Sequence, residues 1–181
     1  MRDLQDIKGQ FIELWRESGK EKVFKIRGTS MQPLIRESDT ISVRPILNAA
    51  DLRIGDIAVF KGATGIVAHR IVGKFTIDNT CYLREKGDYK QAPTVVPAEL
   101  IIGKVVKIYR PDDTINLTSS PWYIINSVVG HYWQVLFAFF DLVSAIKAKR
   151  LGTKRIPLIT AAYQKLTSLL IQLPTIIFRR K

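Results

Sequence analysis

The middle of the chain alternates apolar and polar residues in short runs, a pattern that predicts β-strands. The clearest run is 40–44, and similar runs occupy 23–27, 56–61, 66–72, 82–83 and 101–108. Turn-forming pairs separate several of these runs, namely Gly55-Asp56, Asp78-Asn79 and Gly87-Asp88. Short strands at this spacing predict a mainly β fold, arranged as a sheet, barrel or sandwich.

Helical spacing appears first at the beginning of the chain. Within residues 1–20 the apolar positions recur three or four residues apart. They are Leu4, Ile7, Phe11, Leu14 and Trp15. This spacing predicts one short amphipathic helix that stops near Gly19. The segment mixes charges of both signs and lacks an apolar core, so we expect neither a signal peptide nor a membrane anchor in it.

The last third of the chain has a second helical pattern, in the uncharged stretch 122–140. Small and polar residues recur on one face, at Asn126, Gly130, Gln134, Ala138 and Asp141. Large apolar residues recur on the other, at Ile125, Val128, Val129, Tyr132, Trp133, Leu136, Phe137 and Phe140. These faces predict an amphipathic helix that lies in the plane of a membrane. A single span over 122–146 and a helix packed on the rest of the protein or on a second copy are the alternatives.

A further apolar stretch, 156–178, predicts another interfacial helix, because Lys165 near its centre disfavours a membrane span. The charge of the chain supports a surface role for this third of the sequence. Residues 121–181 contain nine Lys/Arg and one acid, 9 − 1 = +8, out of +12 for the whole chain. Such a basic segment predicts contact with an anionic membrane surface. Nucleic acid is not expected, since there is no room for a helix-turn-helix before the first strand.

Composition excludes several classes of site among the 181 residues. A single cysteine, Cys81, excludes a disulfide framework and a multi-thiolate zinc site. The two histidines, His69 and His131, stand far apart in the sequence. Neither of the common glycine-rich nucleotide-binding motifs is present. We therefore expect no metal and no cofactor.

Three places contain residues suited to chemistry. The run Gly28-Thr29-Ser30-Met31-Gln32-Pro33 follows a predicted strand, so Ser30 can present its hydroxyl at the end of that strand. His69 belongs to a polar pair inside an apolar run. Asp88 lies in the Lys86-Gly87-Asp88 turn. Each alone is commonly structural: a capping serine, a packed histidine or a turn-forming aspartate.

In this order the motifs resemble the signal peptidase I and LexA-type serine peptidases. Five matching segments begin at Ser30, Gly55, His69, Lys86 and Ile101, and together they lie within about residues 23–108. They read Ser-Met-Gln-Pro, Gly-Asp-Ile-Ala-Val-Phe, His-Arg-Ile-Val, Lys-Gly-Asp and Ile-Ile-Gly-Lys-Val. The resemblance implies a largely antiparallel β catalytic domain with a substrate groove, preceded by the short helix and followed by the amphipathic helices.

The resemblance also implies a role for each matching residue. Ser30 corresponds to the nucleophile and His69 to the general base, as in the endoplasmic-reticulum, archaeal and SipW-like branch that uses histidine instead of lysine. Asp88 corresponds to the acid that would orient His69. The position two before the nucleophile is Gly28, so no side-chain oxyanion donor is expected there. Gly28, Thr29 and Met31 are therefore candidates for the oxyanion site and the substrate groove.

The function that follows is that of a serine endopeptidase that trims a leader, signal or precursor peptide. Its parts would be a helix in 1–20, a catalytic domain over 21–112, a linker over 113–121 and a basic helical tail over 122–181. We expect it on the cytoplasmic side of a membrane, with a peptide substrate and with self-association possible. Alternatives are a non-proteolytic module that binds a peptide or a membrane, and a self-cleaving LexA-like protein.

Overall fold

A computed structural model describes residues 2–62, 65–89 and 92–151. In this part of the chain, eight antiparallel strands form a curled half-barrel sheet accompanied by two helices, so the expected mainly β fold is confirmed. The elements are α1 (Arg2–Glu17), β1 (Lys22–Lys25), β2 (Thr40–Pro45), β3 (Ile57–Gly62), β4 (Gly65–Ile77), β5 (Thr80–Lys86), β6 (Thr94–Pro97), β7 (Ile101–Arg110), β8 (Asp113–Asn116) and α2 (Ser120–Leu151).

The sheet runs in the order β1-β2-β7-β3-β4-β5-β6, and β8 pairs with the end of β7. The longest strand is β4, and it changes partner along its length. It pairs with β3 from Gly65 to Arg70 and with β5 from Arg70 to Ile77. One strand therefore belongs to two parts of the sheet, and the residues at the changeover are His69 and Arg70.

The N-terminal helix is confirmed, and it ends two residues before Gly19. Gly19 adopts a φ of +65°, a left-handed conformation that favours glycine and stops the helix. Trp15 anchors the helix: its ring lies edge-on to Phe24 of β1, and its indole N–H donates to the Lys20 carbonyl at 2.7 Å. The helix thus packs on the start of the sheet.

The predicted linker over 113–121 is wrong for most of its length. Residues Asp113–Asn116 form β8, which pairs with β7 through Ile108 and Ile115, and α2 starts at Ser120. Ile115 is buried, so the segment adds to the core instead of joining two separate parts. Its polar composition suggested a loop, but β7 is already part of the larger sheet, so the short strand that pairs with it gains hydrogen bonds and places Ile115 in the core.

The second helix packs on the sheet, and the faces predicted for it are partly wrong. Its buried residues are Asn126, Val129, Gly130, Trp133, Leu136, Phe137 and Phe140. Asn126 and Gly130, predicted on the solvent face, therefore belong to the packed face, whereas Val128 is exposed. Of the arrangements open from the sequence, packing on the rest of the protein is the one observed for the described part of this helix.

Two glycines explain how closely α2 approaches. A Cβ at Gly130 would lie 2.4 Å from the Gly55 nitrogen, and one at Gly55 would lie 2.2 Å from the Asn126 carbonyl oxygen. Both distances are too short for any side chain, so the helix backbone touches the turn before β3 only because both residues are glycine. Gly55 also has a φ of +98°.

Among the helices of the described residues, none combines the length and apolar character that a membrane crossing requires. The single span considered for 122–146 is therefore not supported. The second predicted interfacial helix, 156–178, lies outside the described residues.

Candidate active site

Strand alternation separates two pairs of polar residues at the point where β4 changes partner. Successive side chains of a strand point to opposite faces of the sheet. His69 and Arg70 on β4 therefore point in opposite directions, and so do Glu85 and Lys86 on β5. His69 and Glu85 meet on one face, where Ser30 lies, while Arg70 and Lys86 face α2.

Ser30 lies in the loop after β1, and its hydroxyl is within hydrogen-bonding reach of His69. The distance from Ser30 Oγ to His69 Nε2 is 2.9 Å. The loop is fixed from both sides. The Gln32 N–H donates to the Thr29 carbonyl at 3.1 Å, and the Tyr89 N–H donates to the Ser30 carbonyl at 2.8 Å. The second of these bonds ties the serine loop to the segment that follows β5.

The other ring nitrogen of His69 contacts a carboxylate. His69 Nδ1 lies 2.5 Å from Oε2 of Glu85, and both side chains are only 5% exposed. The second carboxylate oxygen, Oε1, accepts the hydroxyl of Thr94 on β6. An ionised carboxylate can only accept hydrogen bonds, so Nδ1 carries the proton and Nε2 is left to accept the Ser30 hydroxyl. The side chains form a continuous serine–histidine–carboxylate chain.

Asp88 does not take the place that was predicted for it, since the carboxylate beside His69 is Glu85. Asp88 instead forms a bidentate ion pair with Arg70. Arg70 Nε lies 2.8 Å from Asp88 Oδ1, and Arg70 Nη2 lies 2.7 Å from Asp88 Oδ2. The remaining guanidinium nitrogen of Arg70 donates to the Gly55 carbonyl at 2.9 Å and to Asn126 Oδ1 at 2.7 Å. Arg70 is fully buried, and this hydrogen-bonded network connects the sheet to α2.

Glu85 was missed in the sequence, although a signal for it was present. It is the one acid of β5, where it stands between Arg84 and Lys86 on the strand next to β4, and an acid that is buried in a sheet needs a partner. It pairs with Ile71, two residues beyond His69, so both side chains lie on one face of the sheet. The register has an irregularity between Ile71 and Gly73, which a sequence pattern does not reveal.

The remaining predicted site residues surround Ser30. Gly28 and Thr29 are exposed, and a Cβ built on Gly28 would meet no atom within 4 Å, so crowding does not require glycine there. Met31 is buried and belongs to the core cluster between the sheet and α1. It also contributes to the wall of the neighbouring groove.

The groove beside Ser30 has a volume of about 320 Å³. Its lining residues are Phe24, Lys25, Ile26, Arg27, Gly28, Ser30, Met31, Ile35, Ile66, Val67 and Ala68. One wall is the chain that leaves β1. The opposite wall is the first half of β4, whose second edge has no strand partner among the described residues before Arg70. Two backbone segments thus border a largely apolar groove, and Ser30 is part of its lining.

On the other face of β5, the ammonium group of Lys86 is buried against Trp133 of α2. Its Nζ lies 4.0 Å from the centre of that ring and donates to the Gly87 carbonyl at 2.5 Å. Burial lowers the pKa of Lys86 to about 8. Asp88 and Glu85 oppose this shift, whereas Arg70 adds to it. The face of the tryptophan ring stabilises the charged form that remains.

Because of this lowered pKa, the stability of the fold should vary with pH in the alkaline range. Between pH 8 and 10.5 the unfolded chain keeps the Lys86 proton that the folded protein has lost. We therefore expect the free energy of unfolding to rise through this window, by up to about 1.4 kcal/mol per pH unit. Below pH 8 both states are protonated, and the cost of burying the charge is present in full.

Urea unfolding across this pH range tests the expectation, with Lys86→Met as the variant that removes the charge. The difference in stability between Lys86→Met and wild type should shrink as the pH rises from 8 to 10.5. The exposed Lys25→Met serves as the control, and its difference from wild type should stay constant. A constant difference for Lys86→Met as well would contradict the assignment.

Within the described residues, no three histidine, cysteine, aspartate or glutamate side chains gather as metal ligands would. Comparison with known protein families and with curated proteins gives no match.

Proposed function

We propose that the chain is a serine endopeptidase of the signal-peptidase-like type, in which Ser30 is the nucleophile and His69 the general base. The observation that carries this proposal is the chain of contacts from Ser30 Oγ through both ring nitrogens of His69 to Glu85. A hydroxyl is a weak nucleophile near neutral pH unless a base takes its proton during the attack. His69 is placed to do so, and Glu85 holds its ring in the tautomer that can accept.

The reaction would proceed in two halves. Ser30 Oγ attacks the peptide carbonyl carbon while its proton passes to His69 Nε2. That proton then passes to the departing amine as the C–N bond breaks, and the peptide's acyl group stays on Ser30. A water molecule next attacks the acyl carbon and gives a proton to Nε2. That proton then passes to Ser30 Oγ as the acyl C–O bond breaks, which releases the new carboxylic acid and restores the serine hydroxyl. Backbone N–H groups near Ser30 would stabilise the oxyanion in both halves.

The groove supports an extended peptide as the substrate. One wall is the first half of β4, whose second edge has no strand partner among the described residues before Arg70, so a substrate could form main-chain hydrogen bonds there as an added strand. The lining is mostly apolar, which suits the side chains of a leader or precursor segment. The resemblance to signal peptidases adds a preference for small residues before the cut.

A buried serine–histidine–carboxylate chain favours the enzyme over a module that only binds peptides. A binding groove needs no hydroxyl hydrogen-bonded to an imidazole, and it gains nothing from a desolvated carboxylate behind that ring. Burying Glu85 costs free energy that the contacts with His69 and Thr94 offset. Such an arrangement is typical of a site where proton transfer occurs.

A peptide library tests the proposal. The full-length protein and Ser30→Ala are each incubated with a diverse library of peptides that contain small residues at varied positions, and the products are identified by mass spectrometry. We expect cuts made by the wild type alone, following small residues. The Ser30→Ala protein controls for a contaminating peptidase. Identical spectra from both proteins would contradict the peptidase proposal and favour the binding module.

A further inference from the structure

Helix α2 carries a second apolar face, on the side away from the sheet. Its members are large side chains that are each 51–69% exposed: Ile124, Val128, Val135, Phe139 and Leu142. They are spaced four, seven, four and three residues apart, which places them along one side of the helix. The exposed His131 lies between Val128 and Val135 on the same side. Exposed hydrophobic residues are common singly, but five that align on one side of a helix indicate an interaction surface.

This face is not the one that the sequence pattern indicated. The residues predicted to meet a membrane include Val129, Trp133 and Phe137, which pack against the sheet together with Val72. The packed face and the stripe lie on opposite sides of α2. A helix that is apolar on both sides needs a partner on each, and the sheet supplies only one of them.

The surroundings of the stripe favour an anionic partner. The one acid in residues 121–181 is Asp141, and it pairs with Arg84 of β5 at 3.0 Å. The sequence after α2 contains six Lys/Arg and no acid, and three more Lys/Arg lie in 147–150. The net charge of residues 121–181 is +8. Within the described residues, α2 itself therefore ends in a basic segment, 147–150, which follows the stripe directly along the helix.

Charge also argues against a second copy of the chain as that partner. A symmetric dimer uses the same patch on both subunits. Every copy carries the same +8 in residues 121–181, so two copies offer each other no charge complementarity in this third of the chain. An anionic phospholipid surface offers both features that would complement this helix: an apolar layer for the stripe and negative charge for the basic residues.

The geometry points to an interfacial membrane site in which the exposed stripe of α2 enters the boundary between headgroups and acyl chains of an anionic bilayer. The helix lies in the plane of the membrane and keeps its opposite face on the sheet. The basic segment binds the headgroups, so the attraction weakens as salt is added. This site is independent of the proposed peptidase activity, because no member of the stripe lines the groove.

Flotation with vesicles tests the site. Full-length protein is mixed with phosphatidylcholine vesicles, with or without phosphatidylglycerol, at low and high salt. We expect binding to the anionic vesicles at least about tenfold stronger than to the neutral ones, and reduced by salt. The triple variant Val128→Ser/Val135→Ser/Phe139→Ser should lose at least about tenfold of this binding, since it removes the apolar contribution but no charge.

The matched control replaces three equally exposed hydrophobic residues outside the stripe, Leu47→Ser/Ile77→Ser/Val95→Ser, and should bind as the wild type does. Both variants should keep the wild-type melting temperature. Equal binding by the two triple variants would overturn the proposal. So would a dimer in solution that only the α2 variant abolishes. The proposal would also fail if the wild type did not bind vesicles and only the α2 variant had a lowered melting temperature. That result would show that the protein's own chain covers the stripe.

Discussion

Replacing His69 with alanine is expected to lower the rate of peptide cleavage by about 10²–10⁴-fold. The variant keeps the serine hydroxyl and the groove but loses the imidazole nitrogen that lies 2.9 Å from Ser30 Oγ and would take its proton. The loss should fall mainly on kcat, since the imidazole acts on the reacting atoms and not on the rest of the peptide. Initial rates with a peptide from the library measure the effect.

The second histidine of the chain provides the control. His131 is exposed on α2 and hydrogen-bonds to the Ser127 carbonyl of its own helix, so His131→Ala should cleave at the wild-type rate. The double variant Ser30→Ala/His69→Ala should be no slower than Ser30→Ala alone, because the two residues act as one unit. A His69→Ala protein with wild-type turnover, or additive losses in the double variant, would contradict the assignment.

The two buried carboxylates, Glu85 and Asp88, are expected to affect different properties when they are replaced: the first the rate of cleavage and the second the stability. Glu85→Gln places an amide beside His69 Nδ1. The amide N–H can donate to that nitrogen and so favour the tautomer with its proton on Nε2, which cannot accept from Ser30. The same change in serine peptidases with an aspartate costs about 10⁴-fold in kcat. We expect a loss approaching this value with little change in the unfolding midpoint.

Asp88→Asn should act on stability instead. It leaves the Arg70 guanidinium fully buried without a counter-charge, a loss that costs about 3–5 kcal/mol when one partner of a buried pair is removed. The folded fraction should retain near-normal kcat, because Asp88 does not contact His69. Urea unfolding and single-turnover rates on the same samples separate the two effects. A slow but fully stable Asp88→Asn protein would return the orienting role to Asp88.

The difference between these carboxylates shows what a sequence pattern cannot determine. Alternation predicted the strand that carries His69, and the order of the motifs indicated Ser30 as its partner. Which acid reaches Nδ1 depends on the register between β4 and β5, and that register shifts at an irregularity between Ile71 and Gly73. A one-residue change of register moves a side chain to the other face of the sheet. Asp88 lies three residues beyond Glu85 and meets Arg70 instead.

The helix at the other end of the chain illustrates the same limit. Its helical periodicity follows from spacing alone, although the helix runs to Leu151, beyond the uncharged stretch 122–140 that predicted it. Asn126 and Gly130 looked like members of a solvent face because polar and small residues are common there. They are buried because Asn126 accepts from Arg70 and because Gly130 allows the backbone of the turn at Gly55 to come close. Both reasons involve residues more than 50 positions away in the sequence.

By itself, the sequence determined the mainly β fold, the N-terminal helix and the concentration of positive charge in the last third. These properties are local or additive, since they depend on periodicity and counting. The candidate pair Ser30 and His69 came from the resemblance of the motif order to a class of peptidases. Only the tertiary structure decided that Glu85 stands behind His69, that Asp88 holds Arg70, and which face of α2 is left exposed. Those outcomes depend on strand register and on close packing between distant segments, and neither leaves a periodic pattern along the chain.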